Sequence, residues 1–175
     1  MKIRFVVLVL SCIMVMSCDD TATSDSTVET IEETDQNKKI SAKTIQDIDY
    51  NDYALSSEAE SKTVTWDTYH ELATQLSYLK KGDFSFFNGD IDLLKKFISE
   101  FKTQMPEEFK TNLIISRNAI IETELLKLNE NLTIDNISRD EKILNIKALF
   151  VSFSSLNYLI NKKLEDDFYG KIQPE

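Results

Sequence analysis

"ILNIKALFVSFSSLNYLINKKL", residues 143–164, sets Ile143, Ile146, Phe150, Phe153, Asn157, Ile160 and Leu164 at alternating steps of three and four. At 3.6 residues per turn this spacing gathers the seven side chains into one stripe, a heptad seam suited to packing along other helices. Just upstream, Ser138-Arg139-Asp140-Glu141 reads as a capping box, so the helix is expected to start near Ser138. Towards the N-terminus the same periodicity recurs three times. Phe109, Leu113, Ile114, Ile120, Ile121, Leu125 and Leu128 occupy a broad arc, as on a helix contacted from two sides. Pro106-Glu107-Glu108 is suited to open that helix, which is expected to end near Asn129. Ile91, Leu94, Phe97, Ile98, Phe101 and Met105 predict a helix over 90–104, with Asp90 at its cap. Trp66, Tyr69, Leu72, Ala73, Leu76 and Leu79 predict another over 64–81, closed by Lys80-Lys81-Gly82.

Four amphipathic helices on short connections predict an all-α domain, specifically an antiparallel four-helix bundle over 63–170, with 171–175 as a C-terminal tail. The loop "GDFSFFNGD", residues 82–90, holds Phe84, Phe86 and Phe87 between two glycines. It is expected to plug one end of the bundle, because exposed apolar clusters are uncommon; the alternative is an aromatic binding patch. Asn157, on the seam, reads as a polar residue that sets register.

Ahead of the helices the composition changes. Residues 19–60 carry twelve acidic residues and three lysines, a net −9, and are rich in Ser and Thr. Too little apolar surface is present to offset chain entropy, so a disordered acidic tether is expected over 18–62. Some forty-four residues of such a chain span roughly 35–40 Å root mean square. Ile40, Ile45, Ile48, Tyr50, Tyr53 and Leu55 are a weaker apolar signal within it. Interrupted by Asp47, Asp49 and Asp52, they read as incidental rather than as a docking segment. The whole chain has a formal charge of −10. Such a chain repels phosphate backbones, and nucleic acid is not an expected partner.

The chain begins Met1-Lys2-Ile3-Arg4, followed by the uncharged run Phe5–Met16 and then Ser17-Cys18. A basic start, a short apolar run and a small residue before the cut predict a signal peptide over 1–17. A spanning helix needs ~20 apolar residues, so this segment is expected to be removed. Val15-Met16-Ser17-Cys18 resembles the lipobox of bacterial lipoproteins, with a bulkier third residue than usual in Met16. That resemblance implies cleavage before Cys18, a diacylglycerol thioether on its sulfur, and fatty acyl chains such as palmitate that hold the protein on a membrane. Two or three chains anchor stably where one is marginal. Cys12 leaves with the signal, so the mature protein is expected to fold without a disulfide. It would carry eighteen basic against thirty acidic residues, a net −12. Asp19 and Asp20 are either the start of an acidic linker or an address label. An aspartate after the lipidated cysteine resembles the inner-membrane retention signal of enterobacteria, and acidic residues there resemble a surface-export signal of flavobacteria.

Chemistry is scarce. A ferritin-type di-iron centre needs two Glu-x-x-His motifs, whereas this chain has one histidine, His70, with Asp67 three residues before it. Haem attachment by Cys-x-x-Cys-His is excluded as well. No metal, no cofactor and no catalytic set is expected. The remaining candidates are Arg117 and Glu124, seven residues apart on one side of the third helix. They read as a partly buried ion pair with a neighbouring helix, or as a clamp in which Arg117 takes a ligand carboxylate.

"MPEEFKTNLIISRNAIIETELLKLNE" and "LNYLINKKLEDDF", with the lipobox and the acidic tether, resemble a group of flavobacterial lipoproteins with a small helical domain. Ser116-Arg117, Glu122-Thr123, Asn157 and Ile160 to Lys163 carry the likeness. It implies a cell-envelope lipoprotein of the outer membrane, on its periplasmic face or the cell surface, and no particular activity. The expectation is a membrane-anchored, non-catalytic interaction module with an envelope protein as partner. The second reading is a carrier or sensor that binds a small ligand or metal within the bundle.

Overall fold

Residues 39–170 are described by the computed structural model. Among them the regular structure is entirely helical: α1 (Ala42–Gln46), α2 (Ser57–Thr63), α3 (Asp67–Lys80), α4 (Ile91–Thr103), α5 (Asn112–Thr133) and α6 (Arg139–Gly170), plus a 3₁₀ turn at Glu107–Phe109. The all-α expectation therefore holds for the described residues.

Local chemistry sets the helix ends. Asp90 Oδ1 accepts from the amides of Asp92 and Leu93 at 2.7 and 3.2 Å, and Ser138 Oγ from that of Glu141 at 3.2 Å. Each satisfies donors that a helix start leaves unpaired. At the end of α3, Gly82 adopts φ 84°, the Asp83 amide donates to Tyr78 O at 3.1 Å and the Gly82 amide to Leu79 O at 2.9 Å. These paired bonds form a glycine-closed helix end.

The third predicted helix needs correction at both ends. Glu107–Phe109 is a separate turn, and α5 starts only after Thr111, whose extended backbone lets Oγ1 accept from the Ile114 amide at 3.3 Å. The helix then continues past Asn129 to Thr133, because Asn129 and Asn131 are buried and find partners. Asn129 Nδ2 donates to Phe87 O at 2.9 Å and Gly89 O at 3.0 Å, which pins the aromatic loop. Phe87 is buried, and Phe84 and Phe86 pack half-buried on the core, as a plug requires.

Successive long helices run antiparallel. Thr68 at the start of α3 bonds Gln104 just past α4, Asn129 late in α5 bonds the loop before α4, and α5 turns into α6 through five residues. Side chains of α3 and α6 also meet: Tyr69 bonds Asn157 at 2.8 Å, while Lys80 stands over the Phe150 ring. Trp66, Leu72, Leu79, Phe109, Ile121, Leu128, Leu149, Leu156 and Ile160 fill the interior. By length and composition α6 is apolar enough to cross a membrane, but 56% of its apolar window is buried within this fold.

The expected tether boundary at residue 62 is wrong. The folded unit begins at Ile40. Ile45 on α1 is 2% exposed, Ala59 on α2 is fully buried, and Ile40, Ile48, Tyr50 and Leu55 pack against the core. Asp47 and Asp49 do not interrupt this row. Asp47 closes α1 in helical backbone, and it and Asp49 stay exposed while Ile48 and Tyr50 are half-buried against the core. The expected signal peptide 1–17, Cys18, Asp19, Asp20, the tether before residue 39 and the tail 171–175 lie outside the described residues.

Candidate interaction surface

Residues 48–56 form a strap lying along α6, and three polar side chains of α6 hold its backbone. Ser154 Oγ accepts from the Tyr53 amide at 2.8 Å and donates to Asn51 O at 2.5 Å. Asn157 Nδ2 donates to Tyr53 O at 2.8 Å. Asn161 Nδ2 donates to Ala54 O at 2.8 Å, and its Oδ1 accepts from the Ser56 amide at 2.9 Å. Positions 154, 157 and 161 lie on one helix face. Asn157 thus does more than set register between helices, because its Oδ1 also accepts from Tyr69 OH at 2.8 Å and joins strap, α6 and α3. Burial, with a contribution from Glu60, holds the Tyr69 hydroxyl pKa well above its ordinary 10.0.

The strap is further fixed at Lys80. Its Nζ pairs with Asp52 at 2.7 Å and sits 5.4 and 5.5 Å from the ring centres of Tyr50 and Phe150, which stack on each other. Burial works to lower the Lys80 pKa, but its hydrogen bonds to Asp52 and Tyr50 outweigh it and leave it raised. Burial likewise raises Tyr50.

Arg117 and Glu124 are both half-buried on the flank of α5 that faces α6, yet the expected ion pair does not form. Among the described residues Arg117 has no carboxylate within ion-pairing distance, and its buried Nε has no hydrogen-bond partner. Two turns, ~10.5 Å of helix, separate it from Glu124. Glu124 instead accepts from Asn145 Nδ2 at 2.7 Å, and Asn145 in turn accepts from Asn131 at 3.4 Å. Asn131 is thereby engaged in the interior.

Around Arg117 the outer face of the α5–α6 pair is apolar. Leu113 and Ile120 on α5, and Leu144, Val151 and Tyr158 on α6, are all exposed, each set at intervals of seven. Such intervals repeat on one helix face, so each helix carries an outward seam besides its buried one. Small residues, Ala148 and Ser155, lie between those of α6. A groove of roughly 600 Å³ opens at one end of this face, lined by Glu124, Lys127, Asp140, Glu141, Leu144 and Ala148.

His70 is exposed, with Nε2 3.0 Å from Thr63 O. Among the described residues no three Asp, Glu, His or Cys side chains cluster as a metal site would require. Sequence reasoning missed Ser154 and Asn161 as strap holders, although polar residues three and four apart beside Asn157 were visible. Compared with protein-family models, with curated proteins and with solved structures, the chain gives no match.

Proposed function

We propose that this protein is a lipid-anchored cell-envelope lipoprotein whose domain, an antiparallel four-helix bundle made of α3 to α6, serves as a non-catalytic interaction module. The observation that carries the module reading is the outward seam of α5 and α6, where Leu113, Ile120, Leu144 and Val151 stay exposed around Arg117, unpaired among the described residues. Contiguous exposed apolar side chains mark contact surfaces. The antiparallel order of α3 to α6 supports the bundle, and Val15-Met16-Ser17-Cys18 supports the anchor. Between Cys18 and Ile40 lie 21 residues, about half the linker first expected. The anchor is tested by Cys18→Ala, which should abolish acyl labelling and release the protein from outer-membrane fractions. The module is tested by chemical crosslinking in intact cells, which should join Lys127, Lys147 or Lys162, on or beside the outer face, to another polypeptide.

A second reading rests on Arg117 alone: a buried guanidinium nitrogen without an acceptor among the described residues suits a ligand carboxylate in a small-ligand carrier or sensor. It requires a carboxylate ligand that raises the melting temperature and loses this effect in Arg117→Met.

A further inference from the structure

Resting on the interaction-module reading, we infer that the partner of the α5–α6 face is a second copy of this chain, docked antiparallel about a twofold axis beside Ile120. The charges on the face are self-complementary. Arg117 and Glu124 occupy the same flank of α5 and lie symmetrically about the point between Ile120 and Ile121. A twofold axis there, crossing the helix at right angles, sets Arg117 of each copy level with Glu124 of the other. An isologous contact requires such reciprocity. It gives Arg117 a carboxylate that the described residues of its own chain do not offer, while Glu124 keeps its bond to Asn145 on one oxygen.

The apolar residues obey the same symmetry. The register that sets Glu124 beside Asn145 brings Ala148 level with Ile120 and Ile121, so a small side chain lies at the axis where α6 meets its copy. Leu144 and Val151 stay exposed on either side of it, the copy's Leu144 falling within ~3 Å of the level of Val151 across the contact. The paired face is large enough. Twenty-two residues of α5 run ~33 Å, and two helices side by side are ~20 Å wide, giving roughly 650 Å² per copy. Doubled, that is ~1,300 Å², within the range of specific interfaces. Anchoring both copies to one membrane would raise their effective concentration further.

The test uses the full chain in intact cells, with the photoreactive residue p-benzoyl-phenylalanine in place of Ile120, which is 41% exposed. The expected product is an adduct of twice the chain's mass whose peptides come from this protein alone, absent when the same residue replaces Asp92 on α4. Arg117→Glu and Glu124→Arg should each reduce it at least about tenfold by setting like charges together, and the double exchange should restore it. Trp66 fluorescence unchanged from wild type verifies folding in each variant. No adduct, an adduct with a different protein, or a double exchange that does not restore the dimer overturns the proposal. An adduct with a different protein would keep the interaction-module reading while removing the twofold; failure of the lysine crosslinking would remove that reading itself.

Discussion

Ile45→Ala tests whether residues 40–56 belong to the folded domain. Ile45 is 2% exposed on a five-residue helix that touches α3, and its replacement removes three carbon groups from the interior. At ~0.8 kcal/mol for each buried group the transfer loss is ~2.4 kcal/mol. A cavity adds to this, but α1 lies at the edge and can settle inward, so the expected total is ~2.5 kcal/mol, low in the usual range for Ile→Ala. For about 130 ordered residues the unfolding entropy is ~0.27 kcal/mol/K, so the melting temperature should fall by ~9 °C. Urea unfolding of the soluble chain from Asp19, followed by the fluorescence of Trp66, measures it; Trp66 is fully buried and donates to Phe101 O at 2.8 Å. If residues 40–56 open as a unit before the rest, the loss appears instead as an exchange rate ~70-fold faster at the Ile45 and Asp47 amides, which donate to Ser41 O and Lys43 O. A stability change within ~0.5 kcal/mol, together with exchange at those amides as fast as in a free peptide, would refute the docked strap and restore the tether.

Other perturbations probe single links. Tyr69→Phe leaves Asn157 Oδ1 without its buried donor and should cost about 1–2 kcal/mol at pH 7. The same variant should flatten the alkaline decline in stability. The folded Tyr69 pKa is raised, so its contribution is complete below the unfolded value of ~10 and is lost as pH rises towards the folded one. Tyr50 and Lys80 shift in the same direction, so urea titrations from pH 8 to 11 should keep a residual slope. Gly82→Ala should cost about 1–2 kcal/mol, because φ 84° disfavours a side chain and the new Cβ would lie 3.3 Å from the Ala42 amide. Its melting curve distinguishes this from an ordinary surface glycine, which would change little. Asp19→Ala with Asp20→Ala should abolish protease shaving of intact cells if the two residues direct surface export, and should leave it unchanged if they only begin the linker.

The helices were legible because each reports its buried face through a spacing of three and four. Their ends were less so: Thr111 outcompetes Pro106 as a start because the intervening Phe109 is drawn fully into the interior. The strap was illegible for a different reason. Its aspartates read as polarity, yet Asp47 caps α1 and Asp49 stays exposed between the half-buried Ile48 and Tyr50. No helical period could reveal it. The complementary signal lay a hundred residues away, in the polar set Ser154, Asn157 and Asn161 on a helix otherwise rich in apolar residues. Three buried or half-buried polar side chains need partners, and neighbouring helices, whose backbone groups are already paired, offer few. An irregular segment with free amides and carbonyls satisfies them. Arg117 poses the same demand on the opposite side of the molecule, and within the described chain no acceptor answers it. By the logic that placed the strap against Asn157, a partner docked there would bring the carboxylate, and in the proposed twofold Glu124 of the second copy is that acceptor.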